Sequence, residues 1–145
     1  MSLPYTIMIS REEGDLIFVK LQRDVSVMQS LEKVCDQYSI KNGLVVWGIG
    51  MFRTADFGYF DGKQYQHKII ETPGEVVSFH GSIASSDPRF HIHASMAMKD
   101  HGVVGGHLFN AVVSPLMEIQ VTRLRGIHLT RKLNELSGLK EIEVS

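Results

Sequence analysis

Only one stretch of this chain spaces its apolar residues as a helix does. Val27, Leu31, Val34, Cys35 and Tyr38 fall on one helical face, with Glu32 and Lys33 on the opposite, solvated side. Asp24 or Ser26 offers an N-cap. The spacing predicts a helix over Val27 to Tyr38, ended by Asn42-Gly43 with Gly43 as a left-handed cap. Almost everything else reads as strand and turn. Tyr5–Ile9 and Leu16–Leu21 form a hairpin through the charged turn at Arg11–Asp15. Leu44–Gly50 is a short apolar run that suits a buried strand. Strands over Ala55–Phe60, Gln64–Ile70, Val76–Ala84, Phe90–Ser95, Gly105–Leu108, Met117–Thr122 and Ile127–Arg131 follow, separated by Asp61-Gly62 and Thr72-Pro73-Gly74. Many strands, one prominent helix and short turns predict an α+β domain with a mainly antiparallel, curved sheet, closed into a sandwich or barrel.

The chain's 145 residues fit a single domain over 1–145, enough to bury a core without staples. A formal charge of −1 gives no electrostatic reason to bind nucleic acid or an anionic membrane. Cys35 is the one cysteine, so no intrachain disulfide forms, and its place on the helix's apolar side makes it a packed thiol. No apolar run reaches membrane-spanning length, and Met1-Ser2-Leu3-Pro4-Tyr5 lacks the layout of a signal peptide, so a cytoplasmic location is expected.

The chemistry-bearing residues are histidines. His91 and His93 are separated by one residue and therefore point to the same side of a strand. If the chain turns back through Lys99–Gly102, His107 arrives on a neighbouring strand, on the same face. Gly105-Gly106 before it suits a bulge or a close backbone approach that aims the ring. Three imidazoles fit a divalent transition metal, zinc first, with a fourth position open to activate water or polarise a carbonyl. Glu118, set in an apolar run, and Glu75 are the sequence candidates for a carboxylate that orients an imidazole. His80 is a candidate for lining the same pocket without ligating. His101 belongs to a turn, and His67 and His128 read as surface residues.

Other motifs carry less. Gly48-Ile49-Gly50 lacks the third glycine of a dinucleotide fingerprint and is followed by strand instead of helix. Ser78, Ser82 and Ser114 lack the sequence context of a nucleophile. Arg123, Arg125, Arg131 and Lys132 read as a solvated basic face.

The blocks Gly48-Ile49-Gly50, Gly58–Asp61, Pro73–Ala84, His91–Ser95, Gly102–Leu108 and Met117-Glu118-Ile119, in that order, resemble the PPC family, the plant and prokaryote conserved domain also called DUF296. The resemblance covers almost the whole chain. It implies a PPC-like α+β fold assembled as a homotrimer. It also implies a zinc-holding histidine cluster, which falls on His91, His93 and His107. Members of the family are often labelled DNA-binding, and in plants that activity belongs to a separate Arg-Gly-Arg-Pro hook. Here the nearest string is Leu124-Arg125-Gly126-Ile127, which lacks the second arginine and the proline. The expected function is small-molecule binding or metal-assisted chemistry in a pocket beside the histidines. The alternatives are a DNA-associated regulator or a non-catalytic interaction module.

Overall fold

A computed structural model describes residues 7–145, so Tyr5 and Thr6 of the expected first strand lie outside the described residues. The helix forms where its spacing predicts. α1 (Val27–Gln37) buries Val27, Leu31, Val34 and Cys35, and Ser26 caps it by accepting the Gln29 amide at 3.3 Å. Asp24, the other candidate cap, instead accepts from Arg53. The helix ends at Tyr38, and Ser39 takes the left-handed turn with φ 53°.

Gly43 has a different task from the one its sequence position suggests. It opens β3, where a Cβ would stand 2.6 Å from the Thr122 carbonyl oxygen. Glycine is needed there because a neighbouring backbone passes too close for any side chain.

Beside the helix runs an antiparallel sheet, against whose seventh strand the helix packs. It contains β1 (Met8–Glu13), β2 (Leu16–Gln22), β3 (Gly43–Phe60), β4 (Tyr65–Ile70), β5 (Gly74–Ile83), β6 (Phe90–Ala97) and β7 (Val103–Arg123). The order is β1-β2-β7-β6-β5-β3-β4, and a further β3–β7 ladder closes the sheet on itself. A separate hairpin, β8 (Leu129–Asn134) and β9 (Leu139–Val144), follows. The expected curved antiparallel sheet with one helix is therefore present.

Two pairs of predicted strands are each one long strand. Leu44–Gly50 and Ala55–Phe60 merge into β3, and Gly105–Leu108 and Met117–Thr122 merge into β7. Both survive their length because the ladder shifts register at Val45/Trp47, Gly50/Phe52, Phe52/Thr54 and Asp56/Phe57. Each shift bends the strand and lets it wrap around the core. Pro115, which has no amide to donate, falls between the paired positions Val113 and Met117.

The core lies inside this closed sheet and beneath α1. Phe52, Phe57, Phe79, Ile92, Met96, Leu108, Met117 and Ile119 fill it, and Phe52 meets Phe79 edge-on at 6.4 Å. Among the described residues no helix is long and apolar enough to cross a membrane.

The Gly43→Ala protein is expected to be destabilised by about 1–3 kcal/mol, the usual range for overpacking a tight site. Urea unfolding at neutral pH measures this, and unchanged stability would refute the close approach to Thr122.

Candidate metal centre

Strand alternation delivers the first two imidazoles. On β6, Ile92 and Ala94 are buried in the core while His91 and His93 face outward together. The third comes from β7. His107 stands directly opposite His93 on one side and opposite Gly58 of β3 on the other.

The paired glycines make this three-strand approach feasible. A Cβ on Gly105 would lie 2.4 Å from the Ala94 carbonyl oxygen. On Gly106, whose φ is +155°, one would lie 2.6 Å from the Gly58 carbonyl oxygen. With no side chain at either position, β7 passes close to both neighbours just before it presents His107.

The rings converge. His91 Nε2 and His93 Nε2 are 3.2 Å apart, and one ligand atom of each of His91, His93 and His107 lies within 4.8 Å of the others. Two ring nitrogens each 2.0–2.1 Å from a tetrahedral zinc would sit roughly 3.3 Å from one another, close to what His91 and His93 show. His107 supplies a second indication. Its Nδ1 is buried and has no hydrogen-bond partner, an uncommon state for a polar atom.

The electrostatics favour the neutral form that a metal requires. Burial, then the charges of His91, His93 and His67, push the His107 pKa down to about 4. Burial and His93 lower His91, and burial and His80 lower His93.

The remaining candidates divide. His80 pairs with His93 across β5–β6, and with Leu44, Val45, Val46, Gly81, Ser82, His91 and His93 it lines a cavity of about 520 Å³. The two glutamates are elsewhere. Glu75 is at the start of β5, opposite Met51 and Ala97. Glu118 is at the far end of β7, between Lys20 and Ile49. Alternation does place Glu118 on an outward face, but the length of β7 carries it away from His107, and neither carboxylate reaches the cluster. Among the described residues none of the three imidazoles hydrogen-bonds a carboxylate.

An aromatic wall behind His107 is missing from the sequence reading. Tyr65 and Phe109 pack on its ring at centroid distances of 4.7 and 4.8 Å. Phe109 also stacks on His67 at 4.2 Å, and His67 shares a 2.9 Å contact with Asp56. His67 is exposed as expected, yet it is built into this stack. Gly58 leaves room for this wall, since a Cβ there would strike Phe109 at 2.4 Å.

The profile of the Plants and Prokaryotes Conserved (PCC) domain, the PPC domain under its other abbreviation, matches residues 8–125. The chain belongs to this family. Among solved structures, the PCC chain is similar to a metal-containing protein from Archaeoglobus fulgidus. The two are 30% identical, with 90% of this chain and 94% of that one covered and a TM-score of 0.81. A "putative dna binding protein" from Bacteroides thetaiotaomicron superposes with a TM-score of 0.85 at 21% identity, covering 95% and 98% of the two chains. A plant- and prokaryote-conserved protein from Pyrococcus horikoshii does so at 0.78 and 22%, covering 96% and 97%. These last two share the fold. A search of curated proteins found no match.

The depressed His107 pKa fixes a pH dependence for the metal-free protein. Between about 6.5 and about 4 the unfolded chain takes up a proton that folded His107 refuses. Stability should therefore fall as pH drops through that window. His91 and His93 shift in the same direction and add to the slope. Urea unfolding of chelator-treated protein at pH 7 and pH 5 measures the loss, and His107→Phe should reduce it. An equal loss in both proteins would contradict the assignment.

Proposed function

We propose that this PCC domain is a metal-binding protein in which His91, His93 and His107 hold one divalent transition metal, zinc by preference. The neighbouring cavity then admits a small molecule to the metal's open position. The 3.2 Å separation of the two outward Nε2 atoms on β6, with the third ring beside them, carries this reading. The unpartnered His107 Nδ1 and the metal-containing relative from Archaeoglobus fulgidus support it. Zinc supplies Lewis acidity at such a site. The chain supplies three neutral imidazoles and a wall of Tyr65 and Phe109 that limits water around His107. The proposal rests on the three histidines, without Glu75 or Glu118.

We place the protein in the cytoplasm as a homotrimer. The outward side of β2, β3 and β5 supports assembly, because it exposes Phe18, Leu44, Val46, Ile49 and Val77. Trp47 is held on that side by Phe18, edge-on at 6.0 Å, and by a 2.7 Å bond from its Nε1 to Gln120 Oε1.

Protein purified without a histidine tag should carry close to one zinc per 16.3 kDa chain and sediment at three times that mass. The His93→Ala/His107→Ala double variant should lose the metal. Full metal content in that variant, by elemental analysis, overturns the proposal.

A DNA-associated role is the second reading, favoured by the description of the Bacteroides neighbour. Charge weighs against it. The net charge is −1, and Arg53, Arg89, Arg123 and Arg125 are tied to carboxylates. Duplex DNA at 50 mM salt should not bind measurably. Binding that weakens steeply with added salt would restore the second reading.

A further inference from the structure

An imidazole that ligates a metal is ordinarily oriented by its other nitrogen, which donates to a carboxylate, a carbonyl or water. His107 lacks that support. Its Nδ1 has no partner, and among the described residues no carboxylate reaches any of the three rings. What touches the His107 ring is aromatic. Tyr65 of β4 lies against it at 4.7 Å with the planes 39° apart, and Phe109 of β7 at 4.8 Å and 59°. Both neighbours are themselves held. They meet edge-on at 5.3 Å, and Phe60 backs Tyr65 at 5.4 Å. His67 lies nearly flat on Phe109, its plane 18° away, and its Nδ1 is fixed to the two Asp56 oxygens at 2.9 and 3.2 Å.

The backbone is shaped around this stack. Along the β3–β7 ladder Asp56 pairs with Asn110 and Phe57 with Leu108, so Phe109 is left unpaired on a bulge. Gly58 stands opposite His107, and a Cβ there would strike both Phe109, at 2.4 Å, and Tyr65, at 3.0 Å. Neither aromatic belongs to the buried core. The bulge and the glycine therefore seat the two rings on His107 without serving the interior of the fold.

We infer that Tyr65 and Phe109 are positioning residues for the metal: they hold the His107 ring in its ligating orientation by packing, in the role a hydrogen-bonded carboxylate has at other sites. The physical reason is conformational. A half-buried imidazole with no hydrogen bond is free to leave its rotamer, and apparent affinity falls with the fraction of chains in the competent orientation. Confinement by two fixed rings removes that freedom before the metal arrives. This deepens the metal-site reading and depends on it for the effect on zinc, but not for the confinement of the ring.

Two measurements on the full chain test it. One is zinc affinity, by competition with a chromophoric chelator. The other is the order of the His107 ring in chelator-treated protein, by side-chain NMR relaxation. Phe109→Leu and Tyr65→Leu should each weaken zinc by about tenfold or more, the scale of loss when an outer-shell partner of a metal ligand is removed, and should mobilise the metal-free ring. Phe109→Tyr and Tyr65→Phe keep the aromatic contact and should stay close to the unmodified chain in both measurements. If one leucine variant fails to fold, the other decides. An ordered ring with undiminished zinc affinity in a leucine variant overturns the inference, and so does an equal loss in the leucine and the ring-keeping variants. The two readings separate on the same samples. A chain that binds no zinc, yet whose His107 ring is ordered only while both aromatics are present, refutes the metal reading and leaves the confinement standing. Equal zinc affinity in all five proteins refutes this inference alone.

Discussion

The ladder between β3 and β7 is the constraint on which the other features depend. These are the two longest strands, and each is hydrogen-bonded on both edges over part of its length. Closing the sheet through them removes most open edges and gives the core a continuous wall. It also imposes close backbone approaches. Gly43, Gly50 and Gly106 all sit where a side chain would strike a backbone oxygen of the facing strand. The histidine cluster is a by-product of that tightness: β7 enters beside β6 and β3 through Gly105-Gly106 and delivers His107 opposite His93. Side chains placed this way rest on paired strands, which hold them more firmly than loops do.

The parts of the fold legible in the sequence were those written in local periodicity. The period of Val27, Leu31, Val34 and Cys35 marked α1, and the alternation of His91-Ile92-His93-Ala94 marked which side of β6 faces out. Register and strand length were less legible. Bulges let one strand pass through Gly50 or Pro115 without ending, and no local pattern distinguishes that from two strands with a break. Gly43 shows the same limit. A glycine after a helix reads as a cap, while the need for it comes from Thr122, far along the chain on β7.

Charge was harder still to read. Arg123, Arg125 and Arg131 look alike as a basic run, yet they have separate environments. Arg125 is exposed and paired to Asp15, Arg123 bridges Glu12, Asp15 and the Tyr38 carbonyl, and Arg131 is buried among neutral acceptors. The carboxylates that orient or neutralise a group are chosen by tertiary proximity. For the same reason Glu75 and Glu118, near the histidine blocks in sequence order, are distant from the rings, while Asp56 and His67 are linked to them through Phe109. Cys35 was simpler: its burial on α1 pushes the thiol up to about 12, consistent with an inert packed side chain.

We propose that three neutral imidazoles, from two adjacent strands, hold one metal. Diffraction from crystals of the untagged protein, recorded on both sides of the zinc absorption edge, tests it most directly. A single anomalous peak per chain is expected, about 2.0–2.1 Å from one nitrogen each of His91, His93 and His107. A peak held by other residues, or ordered rings with no peak between them, would contradict it.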